Sequence, residues 1–195
     1  MKKSILILIF TISYSIIYSQ QKGTFKDPRD SKVYKIVKIG TQTWFAENLA
    51  YKSNDGCWAY DNNIIYVSKY GYLYAWESAK TVCPVGWHLP DDKEWTTLVN
   101  FLGGEEIAGG KMKKMTDWNC PLSGAVNENG FNTLPAGYRF NDGKFTQLGD
   151  VAYFWSETPD SGDNAWLRFI LCTKSTIYRY ANDSIFGLSV RCTKD

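Results

Sequence analysis

Cys83-Pro84-Val85-Gly86-Trp87-His88-Leu89-Pro90-Asp91-Asp92-Lys93-Glu94-Trp95 places a cysteine, a tight turn and a helix start in one short run. Pro84 and Gly86 punctuate the chain after Cys83, and Asp91 is placed to accept from the first free amides of a following helix. Glu94, three residues on, completes a capping-box pattern, with Pro90 and Trp95 flanking it as a hydrophobic staple. Trp95, Leu98, Val99 and Leu102 then recur at helical spacing on one face, and Gly103-Gly104 ends the run. The stretch predicts a short helix, capped at Asp91, with one face buried.

Working outward, Tyr70-Gly71-Tyr72-Leu73-Tyr74-Ala75-Trp76-Glu77-Ser78-Ala79-Lys80 leads into this segment, and Lys38-Ile39-Gly40-Thr41-Gln42-Thr43-Trp44-Phe45-Ala46-Glu47-Asn48-Leu49 precedes it. Gly130-Phe131-Asn132-Thr133-Leu134-Pro135-Ala136-Gly137-Tyr138-Arg139, Phe154-Trp155-Ser156-Glu157-Thr158 and Gly187-Leu188-Ser189-Val190-Arg191-Cys192 follow. In this order the motifs resemble the Fibrobacter succinogenes major paralogous domain, a secreted bacterial domain family, over nearly all of the chain beyond its N-terminal segment. The resemblance implies an α+β, C-type-lectin-like fold: two short helices, then mainly antiparallel short strands and long loops. It also implies that the middle loops carry ligand surface. A biochemical role does not follow from membership.

Lys2-Lys3 and the apolar run from Ile5 to Ile17 read as a secretory signal peptide over residues 1–19, with cleavage expected near Ser19-Gln20. Thr11, Ser13 and Ser15 interrupt the run, which argues against the alternative, an uncleaved anchor. No cysteine stands near the cleavage point, so a lipid anchor is not expected; the product would be secreted, periplasmic or at the cell surface, without a membrane span. Losing Lys2 and Lys3 takes the formal net charge from +2 to zero. That balance, with no basic stripe, disfavours a nucleic-acid partner. Residues 20–31 read as a loose polar leader, and 32–195 as one domain.

Val33 to Ile39 and Thr43 to Phe45, around Gly40-Thr41-Gln42, read as a hairpin. Tyr72 to Tyr74 reads as a short strand and Trp76 to Val82 as a short helix. Glu105 to Met115 starts like a helix, but Gly109-Gly110 interrupts it, and Thr116 to Asn132 reads as loop. Short strands are expected at Tyr138 to Phe140, Lys144 to Gln147, Tyr153 to Ser156, Trp166 to Thr173, Ile177 to Tyr180 and Leu188 to Cys192, giving helices first and sheet later.

The chain has five cysteines, and in an exported protein an odd set predicts two disulfides and one spare thiol. By the lectin-like resemblance Cys83 pairs with Cys192, closing a loop of roughly 110 residues, which stabilises by about 4–5 kcal/mol in the chain-entropy model. Cys120 with Cys172 is the second expected pair. Cys57 remains as a buried small apolar side chain.

Catalysis is not expected. The Leu89-Pro90 to Glu94-Trp95 piece also resembles the formylglycine-generating enzymes, but their C-terminal Arg-Gly-Gly-Ser-Trp type motif is missing, and Ser189-Val190-Arg191-Cys192 stands at the corresponding end. Their redox cysteine pair is not recognisable. His88, the one histidine, sits before a helix cap, where a structural hydrogen bond explains it. One histidine beside bridged cysteines gives no zinc site. The lectin calcium signatures Glu-Pro-Asn, Gln-Pro-Asp and Trp-Asn-Asp are absent; Asn141-Asp142, Asp150, Asp160 and Asp163-Asn164 have calcium chemistry but serve turns more simply. No cofactor or metal is expected.

Phe, Trp and Tyr make up 16% of the chain, more than a core of this size needs, so some rings should face solvent. Sugar rings stack on such aromatics while polar groups meet their hydroxyls. Alternation sends Trp166, Arg168 and Ile170 to one face of a strand and Leu167, Phe169 and Leu171 to the other. Trp155 reads as structural. Tyr138, Arg139, Tyr153, Arg168, Tyr178 and Tyr180 are the exposed binding candidates. The expected function is a secreted module that binds glycan or polysaccharide. The alternative is a protein-binding module in adhesion or envelope assembly, because Tyr and Arg also dominate protein interfaces.

Overall fold

The capping pattern at Asp91 is realised. Asp91 Oδ1 accepts from the Glu94 amide at 2.7 Å and Glu94 Oε2 accepts from the Asp91 amide at 2.9 Å, so two otherwise free donors are satisfied reciprocally. The helix Asp92–Phe101 buries Trp95, Leu98 and Val99, and Leu102 follows at its end. Gly103 and Gly104 then take φ of 102° and 95°, a region that favours glycine, and the chain turns away.

The computed structural model describes residues 21–121 and 124–195. The expected signal peptide, residues 1–19, lies outside them. In chain order the strands and helices begin with β1 (Lys22–Lys26), β2 (Val33–Ile39), β3 (Gln42–Phe45) and β4 (Cys57–Trp58). After two 3-10 turns come α1 (Val67–Tyr70), β5 (Leu73–Tyr74), α2 (Trp76–Ala79), β6 (Trp87–His88), α3 (Asp92–Phe101) and α4 (Glu105–Met112). The C-terminal half adds β7 (Ala136–Arg139), β8 (Phe145–Leu148), β9 (Val151–Pro159), β10 (Asn164–Leu171), β11 (Ile177–Asp183) and β12 (Thr193–Lys194).

The architecture is α+β with few short helices and mainly antiparallel strands. One sheet has the order β1-β2-β3-β12-β6 and the other β11-β10-β9-β7-β8, while β4 and β5 form a small ribbon. Only the β7–β9 contact among these pairs is parallel. The expected order of helices first and sheet later is therefore corrected: four strands precede the first helix, and three of them share a sheet with the last strand.

Three local expectations also change. Lys22–Lys26, read as a loose leader, pairs residue for residue with β2 as the edge strand; an exposed, charged edge strand lacks the apolar alternation that marks a half-buried one. Helix α4 runs through Gly109 and Gly110 because only glycine fits there. A Cβ would lie 2.6 Å from the Thr176 carbonyl oxygen at Gly109 and 2.5 Å from that of Gly124 at Gly110. Leu188 to Cys192 is not a strand, because its residues bond to several different segments. Leu188 pairs with Tyr74, the Ser189 amide donates to the Tyr153 carbonyl, and the carbonyls of Val190 and Cys192 accept from Leu49 and Phe45. This segment links the two sheets.

Two apolar clusters fill the interior. In one, the Trp95 ring lies 4.9 Å from Trp44 and 5.6 Å from Phe154, and α3 thereby covers one face of the second sheet. Removing an indole of this size from water stabilises by at most about 5 kcal/mol. The other cluster gathers Tyr34, Phe45, Tyr74, Trp87, Trp155 and Leu167. Disulfides join Cys83 to Cys192 and Cys120 to Cys172, and the second fastens the long middle loop to the end of β10. Cys57 is free and half-buried.

Candidate functional site

Pairing in the second sheet sets Tyr153 of β9 opposite Phe169 of β10, and Phe169 opposite Tyr178 of β11. Side chains directly opposite share a face, so these rings form a row. Tyr138 of β7 extends it. Ring centroids are 4.8 Å apart for Tyr138–Tyr153, 5.2 Å for Tyr153–Phe169 and 4.7 Å for Phe169–Tyr178, the last two stacked. The alternate residues Phe154 and Ile170 point to the opposite face, into the cluster under α3.

At Trp155 and Leu167 the row's own face is fully covered by the other cluster. The cover thins at Tyr153 and Phe169, which are half-buried, and a recess of about 320 Å³ opens there. Tyr138, Phe140, Tyr153, Phe169, Tyr180 and Phe186 supply its rings and Asn182 its amide. The hydroxyls of Tyr138, Tyr153 and Tyr180 and the Asn182 Nδ2 have no hydrogen-bond partner among the described residues. Burial, with the phenols of Tyr138 and Tyr180 nearby, pushes the Tyr153 phenol up to about 12, so it is a neutral donor at physiological pH.

The six binding candidates therefore separate. Tyr138, Tyr153 and Tyr180 line the recess, and Tyr178 stacks on Phe169 at its margin. Arg139 does not join them: its guanidinium lies 4.0 Å over the Trp58 ring and donates to the Phe140 carbonyl. Arg168, expected to be exposed, is 2% exposed under α3. There its Nη2 pairs with Asp92 at 2.9 Å and donates to Thr96 Oγ1, while Asp92 also holds Arg179 at 3.0 Å. Strand alternation assigned Arg168 a face, but only the tertiary placement of α3 covers that face. Phe140, Phe169, Phe186 and Asn182 are recess residues missing from the candidates; the available signal was the alternation that sets Phe169 apart from Arg168 on the other face of its strand.

Other reactive groups are engaged structurally. His88 Nδ1 lies 2.6 Å from Asp195 and Nε2 lies 2.9 Å from Glu94, so both ring nitrogens face carboxylates. Burial alone would lower the His88 pKa, but the hydrogen bonds to Asp195 and Glu94 outweigh it and raise the pKa. Burial raises the Cys57 thiol, away from thiolate reactivity. Among the described residues no group of three or more His, Cys, Asp or Glu is placed to hold a metal ion, and no helix is long and apolar enough to cross a membrane.

The family model described as the Fibrobacter succinogenes major domain matches residues 37–194. No curated protein and no solved structure matches the chain.

Proposed function

This chain belongs to the Fibrobacter succinogenes major domain family, and from that premise we propose that it is an exported, non-catalytic binding module with a C-type-lectin-like fold. Its ligand is glycan, taken up in the aromatic recess of the second sheet without calcium. One observation carries this reading: three tyrosine hydroxyls without hydrogen-bond partners among the described residues stand around a recess floored by half-buried rings. Ring faces suit the C–H faces of a sugar, and free hydroxyls with the Asn182 amide suit its hydroxyl groups.

The non-catalytic part is supported by His88, whose nitrogens are both engaged by carboxylates, and by the raised thiol of Cys57. Calcium independence is supported by Asp142, which pairs with Lys144 at 2.8 Å and accepts from its amide as a turn former.

A glycan-array and insoluble-polysaccharide screen, run with calcium and with EDTA, tests the reading. Retention that survives EDTA and is lost in Tyr180→Ala is the expected outcome. Retention abolished by EDTA would overturn the metal-free site. Absence of any glycan binding would overturn the ligand class and favour a protein partner.

A further inference from the structure

A second cleft, of about 400 Å³, lies among the chain around β2, helix α1 and the segments at Lys114 and 132–134. Four lysines line it: Lys32, Lys35, Lys69 and Lys114. Their neutralisation is incomplete. Lys69 and Lys114 both reach the Asp117 carboxylate, at 2.6 and 2.8 Å, so one anion serves two ammonium groups. Lys35 approaches Glu47 only to 3.8 Å, and Lys32 has no carboxylate partner among the described residues.

A fifth cation stands directly behind the cleft. Arg191 is fully buried, and its guanidinium donates to neutral acceptors, among them Asn48 Oδ1 at 2.7 Å and the Asn132 carbonyl at 3.0 Å. Asn48 and Asn132 both line the cleft. A buried charge without a counter-ion is costly, and its field is weakly screened in low dielectric. Five positive groups thus face the carboxylates of Glu47 and Asp117, a local excess of +3 in a chain whose described residues balance to zero. A concave site with an uncompensated charge concentrates counter-ions.

We propose that this cleft is an oxyanion site that takes a sulfate or carboxylate group carried on an acidic polysaccharide. The proposal rests on the glycan reading for the polymer class alone; the side chains are different, so the two fail separately. A nucleic acid would need basic surface extending past the cleft, which the zero balance of the described residues does not supply.

The test uses the whole exported domain with dextran sulfate, neutral dextran and sodium sulfate as probes, read by biolayer interferometry and calorimetry. Dextran sulfate is expected to bind and neutral dextran not to, with affinity falling as NaCl rises from about 50 to about 300 mM. The double variant Lys32→Gln/Lys35→Gln should weaken binding by about tenfold, while Lys22→Gln/Lys93→Gln, equal in charge change but outside the cleft, should not. Thermal melts of both variants report folding, and Lys69 and Lys114 are left intact because Asp117 depends on them. Equal loss in the two double variants, or no loss in the first, overturns the site. Neutral dextran bound as tightly as dextran sulfate and weakened as much by Lys32→Gln/Lys35→Gln overturns the oxyanion, and sodium sulfate binding as tightly as the polymer overturns the polysaccharide.

Discussion

Trp155 and Tyr153 stand two residues apart on one face of β9, and they illustrate two uses of aromatic side chains. Trp155 is fully buried, its Nε1–H donates to the Tyr74 carbonyl at 2.7 Å, and its own carbonyl accepts from Trp95 Nε1. Tyr74 in turn donates its hydroxyl to the Tyr51 carbonyl at 2.6 Å. Around the recess the rings pack as closely, yet the hydroxyls of Tyr138, Tyr153 and Tyr180 have no hydrogen-bond partner among the described residues. In the core an aromatic ring fills space and its polar atom completes a bond; in the recess the ring is supported and the polar atom is left for something else.

The largest effect separating the two regions is expected from Trp155→Ala. It should cost about 4 kcal/mol by urea denaturation, from lost burial and a cavity, whereas Tyr180→Ala should stay within about 0.5 kcal/mol. A Tyr180→Ala penalty near that of Trp155 would place Tyr180 in the core and break the comparison. Next is the covered face of the same sheet. Asp92→Ala leaves Arg168 buried without its counter-ion and should cost about 3 kcal/mol, at the low end for such pairs because Asp92 keeps partial solvent contact. Arg168→Met should cost less than Asp92→Ala, and the reverse order would contradict an uncompensated charge as the cause.

A finer test removes single hydroxyls. Tyr74→Phe should lose about 1 kcal/mol, because it removes the donor to the partly buried Tyr51 carbonyl, and Tyr153→Phe should leave the unfolding midpoint unchanged. Equal losses would mean that the Tyr153 hydroxyl has a structural partner.

The smallest effect is electrostatic. The folded-state pKa of His88 is raised, so its contribution is complete below the ordinary value of 6.5 and is lost as pH rises through the folded value. The melting temperature of the wild type should therefore drop relative to His88→Asn across that window. The loss should be under about 1 kcal/mol, since the group is partly solvent-screened. A widening gap in favour of the wild type would reverse the sign and contradict a charged His88.

What was legible in the sequence follows the range of the forces involved. The cap at Asp91 and the buried face of α3 depend on residues a few positions apart, and they read correctly. The β2–β3 hairpin did so for the same reason. Gly109 and Gly110 misled because their meaning lies in backbone from residues 124 and 175–176 pressing on the helix. Tyr138, Tyr153 and Tyr180 were expected to be exposed, which holds for Tyr180 while Tyr138 and Tyr153 are half-buried, and the recess also needs Phe140, Phe169 and Phe186 from separate segments, because strand composition carries no register. Arg168 was misplaced because alternation names a face without saying what covers it. The basic cleft was not legible: lysines at 32, 35, 69 and 114 form no run, and only the fold brings them beside Arg191.

The division between core and recess is tested most directly by NMR of the domain, residues 21–195, carrying ring-labelled tyrosine, titrated with a polysaccharide that retains it in EDTA. The account predicts ligand-induced shifts for Tyr138, Tyr153 and Tyr180, and none for Tyr34 and Tyr74, which are buried and hydrogen-bonded. Shifts spread evenly over both sets, or absent from the recess while the polymer is bound, would contradict it.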